Sequence, residues 1–248
     1  MKRSAFAPCA AALALSLAGC GDGGNDNNLA ATGNAALAQI AAPNNGDWTE
    51  VVTMTDMGSY VVGNPNAPVK LVEYASITCH VCAEFEEQGG PRLRDNYVRS
   101  GQVSWEYRPY MIFPSDPGIF LMLRCLGPNA FFRASEQLYA DQRNWVARIQ
   151  AMPPEQLQQI ETLPPAARAA AIVRGAGLDQ FFRQRGIPEA RMNQCLADDA
   201  ALQQLGALTQ RGNEDGVTGT PTFLINGERQ QASSWAALEP LLRRATGG

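Results

Sequence analysis

The sequence predicts a mixed α/β fold in which a helical domain interrupts a domain of strands and helices. Three observations favour this fold. A β-branched run that begins at Val69 leads directly into two cysteines and a helical pattern, a short apolar strand follows Pro221, and the intervening residues 114–211 are helical in pattern. The predicted order is therefore a βαβ half, an inserted set of helices, and a ββα half.

Residues 1–19 have the pattern of an export signal. Lys2 and Arg3 give a positive start, and the apolar run Ala10–Ala18 is too short to span a bilayer. The Leu-Ala-Gly-Cys segment that ends at Cys20 resembles the lipobox of bacterial lipoproteins, which implies that Cys20 is lipidated and anchors the protein to a membrane. The alternative is that Cys20 simply follows an ordinary secretory signal.

Residues 20–47 are rich in Gly, Asn, Asp and Ala and carry little that can be buried, so we expect a flexible tether. The composition becomes globular at Trp48, and residues 48–113 are expected to form the first part of the sheet domain. Val51–Val52 and Tyr60–Val62 are candidate edge strands within it.

The stretch Val69–Glu87 is central to the prediction. A strand carries the chain to Cys79-His80-Val81-Cys82, where a helix begins. A helix N-terminus has unpaired N–H groups and partial positive charge, which favour a thiolate over a thiol, so Cys79 is the expected activated sulfur. Cys82, one turn into the helix, is placed to attack a mixed disulfide on Cys79 and release the bound partner.

Helical segments fill residues 114–211. They follow a predicted strand over Gln102–Tyr110; Ser115 or Asp116 caps the first helix, and Gly127-Pro128 ends it. The other predicted helices are Ala130–Asp141, Asn144–Met152, Pro154–Thr162, Pro165–Arg174, Leu178–Arg185, Pro188–Leu196 and Asp198–Arg211.

Residues 212–248 are expected to complete the sheet domain. The elements predicted there are a strand over Thr222–Asn226, a turn at Asn226-Gly227, a hairpin partner over Glu228–Gln231, and a final helix capped by Ser233 or Ser234.

Cysteine usage predicts one structural disulfide. Of the six cysteines, one lies in the signal, one at the lipidation site and two in the motif, which leaves Cys125 and Cys195. An exported protein seldom leaves two free thiols open to oxidation, so we predict a Cys125–Cys195 bond. The alternative is two separate buried cysteines that act as small hydrophobic residues.

Charge and histidine content exclude several functional classes. The formal net charge of −4 and the isoelectric point near 5.1 argue against nucleic acid as a partner. His80 is the only histidine, which excludes metal sites built on a histidine pair and leaves no base for a distant Ser or Cys triad. Neither a metal nor another cofactor is expected.

The two motifs together resemble a known family. The Cys-X-X-Cys helix start and the later Gly219-Thr220-Pro221 loop, with its following strand and turn, resemble the DsbA-like thiol:disulfide oxidoreductases of the thioredoxin superfamily over residues 60–246. The resemblance implies a thioredoxin-like fold with an inserted helical domain. It also implies that Pro221 is cis and faces the cysteines, and that the backbone of Thr220 pairs with an extended substrate.

Three further residues are predicted to tune the redox pair. DsbA-like relatives often place a buried acid where Glu73 lies, and a carboxylate there can relay the proton of the second cysteine; otherwise Lys70 or a backbone group satisfies it. His80 and Val81 stand where the family commonly has Pro and His. A charged His80 would stabilise the adjacent thiolate, and the alternative is a histidine that only starts the helix.

The expected function is that of a monomer, exported to the periplasm and held at a membrane by lipid alone, that oxidises cysteine pairs in folding proteins. Its substrates would be protein thiols, and by resemblance a DsbB-type membrane partner would take up the electrons. An isomerase or reductase of the same fold is the second hypothesis. A metal- or peptide-binding module without turnover is a third, from a different class.

Overall fold

A six-stranded mixed sheet lies at the centre of the computed structural model, which describes residues 37–247. Its strands are β1 (Val52–Met54), β2 (Tyr60–Gly63), β3 (Val69–Ala75), β4 (Val103–Pro109), β5 (Thr222–Ile225) and β6 (Glu228–Arg229). They lie in the order β1-β2-β4-β3-β5-β6. β3 and β4 are parallel, as a βαβ unit requires, and β5 is antiparallel to β3.

β3 is buried almost throughout, because it pairs with β4 on one side and β5 on the other. Lys70 is its single exposed residue. The predicted edge position of β2 is wrong, since β2 pairs with both β1 and β4. Tyr60 is only 2% exposed, and its ring stacks on Phe131 with 3.6 Å between centroids. β1 does lie at an edge.

Ten α-helices surround the sheet within the described residues. They are α1 (His80–Arg92), α2 (Asp116–Leu126), α3 (Pro128–Ala140), α4 (Gln142–Gln150), α5 (Pro154–Glu161), α6 (Pro165–Gly175), α7 (Leu178–Arg183), α8 (Glu189–Leu196), α9 (Asp199–Glu214) and α10 (Trp235–Ala245). The helices from α2 to α9 match the predicted ones to within a few residues, because Pro and Gly mark most of their ends. None of the helices in residues 37–247 has the length and apolar character that crossing a membrane requires.

The helix that carries the cysteines, α1, is seated tightly against α10. A Cβ atom at Gly89 would lie 2.7 Å from the ring of Trp235, so the two helices approach this closely only because Gly89 has no side chain. On the same helix, Phe85 packs against Phe223 of β5 and against Trp235, with ring centroids 4.6 and 6.4 Å apart. These contacts fix the start of α1 relative to the sheet.

The predicted signal 1–19, the lipidation site Cys20 and the first part of the tether lie outside the described residues. The remaining tether residues are held against the domain. The Ile40 N–H donates to the Ser100 carbonyl at 2.8 Å, and the Ala38 carbonyl accepts from the Gln102 side chain at 2.9 Å. The folded domain therefore includes residues before Trp48, whereas the composition alone predicts that it starts at Trp48.

Cys125 and Cys195 form a disulfide, which confirms the predicted pairing. The bond joins the end of α2 to α8, with the two Cα atoms 5.9 Å apart and 70 positions apart in sequence. Most of α2 is buried, so the bond ties a central helix of the insertion to its neighbour.

We expect the paired substitution Cys125→Ala and Cys195→Ala to lower the free energy of unfolding by about 4 kcal/mol, because the disulfide closes a long loop in the unfolded chain. Urea denaturation followed by circular dichroism measures the change. The comparison is best made in a Cys79→Ser, Cys82→Ser background, where no other disulfide of the domain contributes. Dithiothreitol should then destabilise the parent and leave the paired variant unchanged; equal stability of the two proteins without reductant would contradict the prediction.

Candidate active site

Cys79 occupies the N-terminal cap of α1, directly after the turn that follows β3. The residue is 6% exposed, whereas Cys82, one turn into the helix, is 1% exposed. Both cysteines are unbonded in this structure. The strand, the pair and the helix are therefore arranged as the sequence predicts, with both cysteines buried and Cys82 the more deeply so.

The second motif meets the first at the sulfur of Cys79. The Thr220–Pro221 peptide bond is cis, as the resemblance implies. The Cys79 thiol donates to the carbonyl oxygen of Thr220 at 3.3 Å, across 141 positions of sequence. The Thr220 hydroxyl is buried and makes no hydrogen bond within the part of the chain that the structure describes, so its proton is available to a thiolate.

The environment of Cys79 favours the thiolate. Its pKa falls from 9.0 to about 5, chiefly because the Cys82 thiol hydrogen-bonds to the sulfur. Burial opposes this shift, while Thr220 and the backbone N–H groups of Val81 and Cys82 reinforce it. Cys79 is therefore ionised at neutral pH and is the nucleophile of the pair.

The pKa of Cys82 shifts in the opposite direction. Burial raises its pKa well above the ordinary thiol value, and the hydrogen bond and negative charge of Cys79 raise it further, as does Glu73. Cys82 is thus a protonated thiol at neutral pH while its neighbour is a thiolate. This asymmetry allows one sulfur to react and the other to hold a proton.

Glu73 lies on β3 beneath the pair and is 2% exposed. One carboxylate oxygen accepts from the indole N–H of Trp105 at 3.0 Å. Lys70, the alternative partner, instead donates to the carbonyl of Pro65. Burial raises the pKa of Glu73 well above the usual carboxyl value, and the negative charge of Glu86 adds to the shift.

Glu86 is a buried acid near this site that sequence reasoning missed. Arg94 Nη1 donates to its carboxylate at 2.7 Å, and Arg94 Nη2 also lies 3.4 Å from Glu136. Its neighbours Glu84 and Glu87 are exposed on the same helix. Helical spacing could have found it, because Glu86 lies four residues after Cys82, on the face that α1 buries, whereas Glu84 and Glu87 lie on the other face.

The two residues between the cysteines occupy different environments. His80, the first residue of α1, is exposed, and Val81 is half-buried. Val81 contributes its backbone N–H to the sulfur of Cys79. The largest effects on the pKa of Cys79 come from Cys82, burial and Thr220 rather than from the imidazole of His80.

Two open grooves lie beside residues that neighbour Cys79. One, of about 960 Å³, opens beside Thr78 and His80, and its walls are mainly apolar side chains of α4, α5 and α6. The other, of about 460 Å³, runs from the Thr220–Pro221 loop to residues 229–233. No group of three or more His, Cys, Asp or Glu side chains in residues 37–247 is arranged to hold a metal ion.

Comparisons with known proteins identify relatives over most of the domain. A family model described as thioredoxin matches residues 55–244. A Rickettsia felis protein with a provisional protein-disulfide oxidoreductase name is 26% identical over 180 residues, which cover 72% of this chain and 56% of that protein. A Rickettsia prowazekii protein with the same type of name is 26% identical over 181 residues. The chain thus spans 56% and 58% of the lengths of these two relatives.

Solved structures show the same fold. The protein-disulfide isomerase of Novosphingobium aromaticivorans superposes with a TM-score of 0.73 at 28% identity, over 77% of this chain and 98% of that one. The α-DsbA1 protein of Wolbachia pipientis superposes with a TM-score of 0.57 at 18% identity, over 75% and 90% of the two chains. The second match bears on the fold alone.

The pKa of Cys79 predicts the pH profile of its alkylation. In the reduced protein, the rate of reaction with iodoacetamide should reach half its maximum near pH 5 and stay constant above about pH 6.5, because only the thiolate reacts. Mass spectrometry locates the label. A Cys79→Ser variant should react little at neutral pH, since Cys82 is buried and protonated. A midpoint near that of a free thiol would contradict the assignment.

Glu73→Gln should stabilise the reduced protein more at pH 7 than at pH 4. The pKa of Glu73 is higher in the folded state than in the unfolded chain, so the folded state binds the proton more tightly. The folded state therefore loses stability as the pH rises above about 4. The expected gain at pH 7 is about 1–3 kcal/mol in urea denaturation. Glu84→Gln, an exposed change on α1, is the matched control. The same difference at both pH values would show that Glu73 titrates normally.

Proposed function

Because the chain belongs to the thioredoxin family, we propose that it is a thiol:disulfide oxidoreductase that oxidises cysteine pairs in protein substrates through Cys79 and Cys82. The observation that carries the proposal is the opposite ionisation of the two sulfurs beside the cis Thr220–Pro221 loop. A thiolate beside a more deeply buried thiol is an arrangement suited to disulfide exchange.

Exchange would begin with the Cys79–Cys82 pair as a disulfide. A substrate thiolate attacks the Cys79 sulfur, which forms a mixed disulfide and breaks the bond to Cys82. The electron pair leaves with Cys82, whose raised pKa makes it take up a proton. Glu73, whose pKa is also raised, lies close enough to influence that thiol and is the proposed proton donor.

A second substrate thiolate then attacks the substrate sulfur of the mixed disulfide. The substrate becomes a disulfide, and Cys79 leaves as a thiolate. Its low pKa makes it a good leaving group, and the enzyme is left as a dithiol. The Thr220 backbone would hold the extended substrate in the meantime, as strand addition does elsewhere.

The depressed pKa of Cys79 supports net oxidation, because a stabilised thiolate favours the reduced enzyme and so makes the disulfide form a stronger oxidant. Isomerisation is the second candidate, favoured by the name of the Novosphingobium protein, which is 28% identical. An isomerase attacks a wrong substrate disulfide with the reduced Cys79 and returns to the reduced state without net electron transfer.

The cellular setting belongs to the same proposal. We propose that residues 1–19 direct export, that a lipid on Cys20 holds the domain at a membrane in the periplasm, and that a DsbB-type membrane protein takes two electrons from the reduced pair. The signal pattern and the lipobox resemblance support the first two points. The DsbA-like fold supports the third.

Glutathione equilibration and a dithiol peptide test the proposed oxidation. The full-length protein should have a reduction potential more oxidising than the approximately −270 mV of thioredoxin, and its disulfide form should convert a reduced two-cysteine peptide to the disulfide. Cys79→Ser and Cys82→Ser should each abolish this reaction, because neither variant can form the Cys79–Cys82 disulfide that accepts the two electrons. Oxidation of the peptide by Cys79→Ser at the wild-type rate would refute the proposal.

A substrate with scrambled disulfides separates the two candidate activities. The reduced protein would restore the native pairing at catalytic amounts if it is an isomerase. If it is an oxidase, its disulfide form turns over dithiol substrate rapidly, while its reduced form restores scrambled substrate slowly.

A further inference from the structure

The turn that delivers Cys79 to α1 has carbonyl groups that neither the sheet nor the helix fully bonds. The amide nitrogen of Gln142 donates to two of them, the carbonyls of Ile77 at 2.7 Å and Cys79 at 3.0 Å. The hydroxyl of Tyr139 donates to a third, that of Ser76, at 3.2 Å. Side chains from outside the turn therefore hold three of its carbonyls.

These donors come from the inserted helices rather than from the sheet domain. Tyr139 lies near the end of α3, and Gln142 is the first residue of α4. Both are buried, at 6% and 5% exposed. Sequence patterns do not indicate this role, because the predicted helices end at 141 and resume at 144 and so leave Gln142 in a linker.

The carbonyl of Cys79 is a sensitive point of the site. It also accepts the N–H of Ala83 at 3.2 Å, the hydrogen bond that starts α1. The peptide groups between these two residues include the N–H groups of Val81 and Cys82, which bond to the Cys79 sulfur. A tilt of the first helical turn would therefore turn those N–H groups away from the sulfur.

Asp116 holds the same turn from the start of α2. It accepts from the hydroxyls of Ser76 and Thr78, each at 2.8 Å, and is fully buried. Its carboxyl titrates, and burial raises its pKa, so removing it would change both geometry and charge. Gln142 is neutral at every pH and contributes donors alone, which makes it the cleaner probe.

Resting on the proposed function, we infer that Gln142 is a positioning residue of the redox site. By holding the carbonyls of Ile77 and Cys79, its amide fixes the first turn of α1, so that backbone N–H groups face the reactive sulfur. The helical insertion thereby sets the reactivity of a cysteine that belongs to the other domain.

The test is Gln142→Met in the full-length protein, because methionine matches glutamine in length and has no donor. The thiolate absorbance at 240 nm, titrated in the reduced protein, should show the pKa of Cys79 raised by about 1 unit. A less stable thiolate favours the disulfide form, so the glutathione equilibrium at pH 7 should shift about tenfold toward the disulfide.

The matched control is Gln150→Met, the same change at the exposed last residue of α4. We expect neither readout to move in this variant. Gln142→Asn keeps the amide, but its side chain is one methylene shorter than that of glutamine and so reaches the two carbonyls less well. It should shift both readouts in the same direction by a smaller amount, and it serves if the methionine variant does not fold.

The inference would be overturned by a folded Gln142 variant in which neither the pKa of Cys79 nor the glutathione equilibrium changes. A change in melting temperature alone would indicate a purely structural role for Gln142. The titration needs no turnover. Should the wild-type protein fail to oxidise any substrate, the proposed function would fall, while the pKa comparison would still decide the role of Gln142.

Discussion

The stabilisation of one thiolate against its own burial is the interaction on which the rest of this structure depends. Burial alone would raise the pKa of Cys79, and the hydrogen bonds from Cys82, Thr220 and the backbone more than reverse it. Cys82 and the backbone N–H groups belong to the first turn of α1, whereas Thr220 belongs to the loop before β5. The start of α1 and the loop before β5 must therefore stay in register to within a hydrogen-bond length.

Several packing features serve that register. Gly89 lets α10 approach α1 closely through Trp235, and Phe85 joins α1 to Phe223 on β5. β5 in turn pairs with β3, which places the cis Pro221 loop beside the sulfur. The sheet thus fixes Cys79 and Thr220 relative to each other, with the sulfur 3.3 Å from the Thr220 carbonyl oxygen.

The parts of this site that the sequence predicts are those that short local patterns of residues indicate. Three such patterns each have a chemical reason of their own. They are a strand that leads into Cys79 and a helix start, a Thr-Pro step before a strand, and two cysteines left over from the motif and the predicted signal. The parts it does not predict depend on which face of an element meets another. The interior position of β2 is such a case, because pairing partners cannot be read from one strand.

The inserted helices are part of the reaction site as well as a support for it. α2 shows how the two roles are joined: Asp116 at one end accepts from the turn before Cys79, and Cys125 near the other end is bonded to α8. The Cys125–Cys195 disulfide, although remote from the reactive sulfur, thus restrains α2. The first residue of α2, Asp116, bonds the turn before Cys79. Tyr139 of α3 and Gln142 of α4 bond backbone carbonyls of the same turn, so three helices of the insertion contact the four residues from Ser76 to Cys79. The chemistry of Cys79 consequently depends on the inserted helices as well as on the sheet, and a change in how those helices pack should alter the environment of the sulfur.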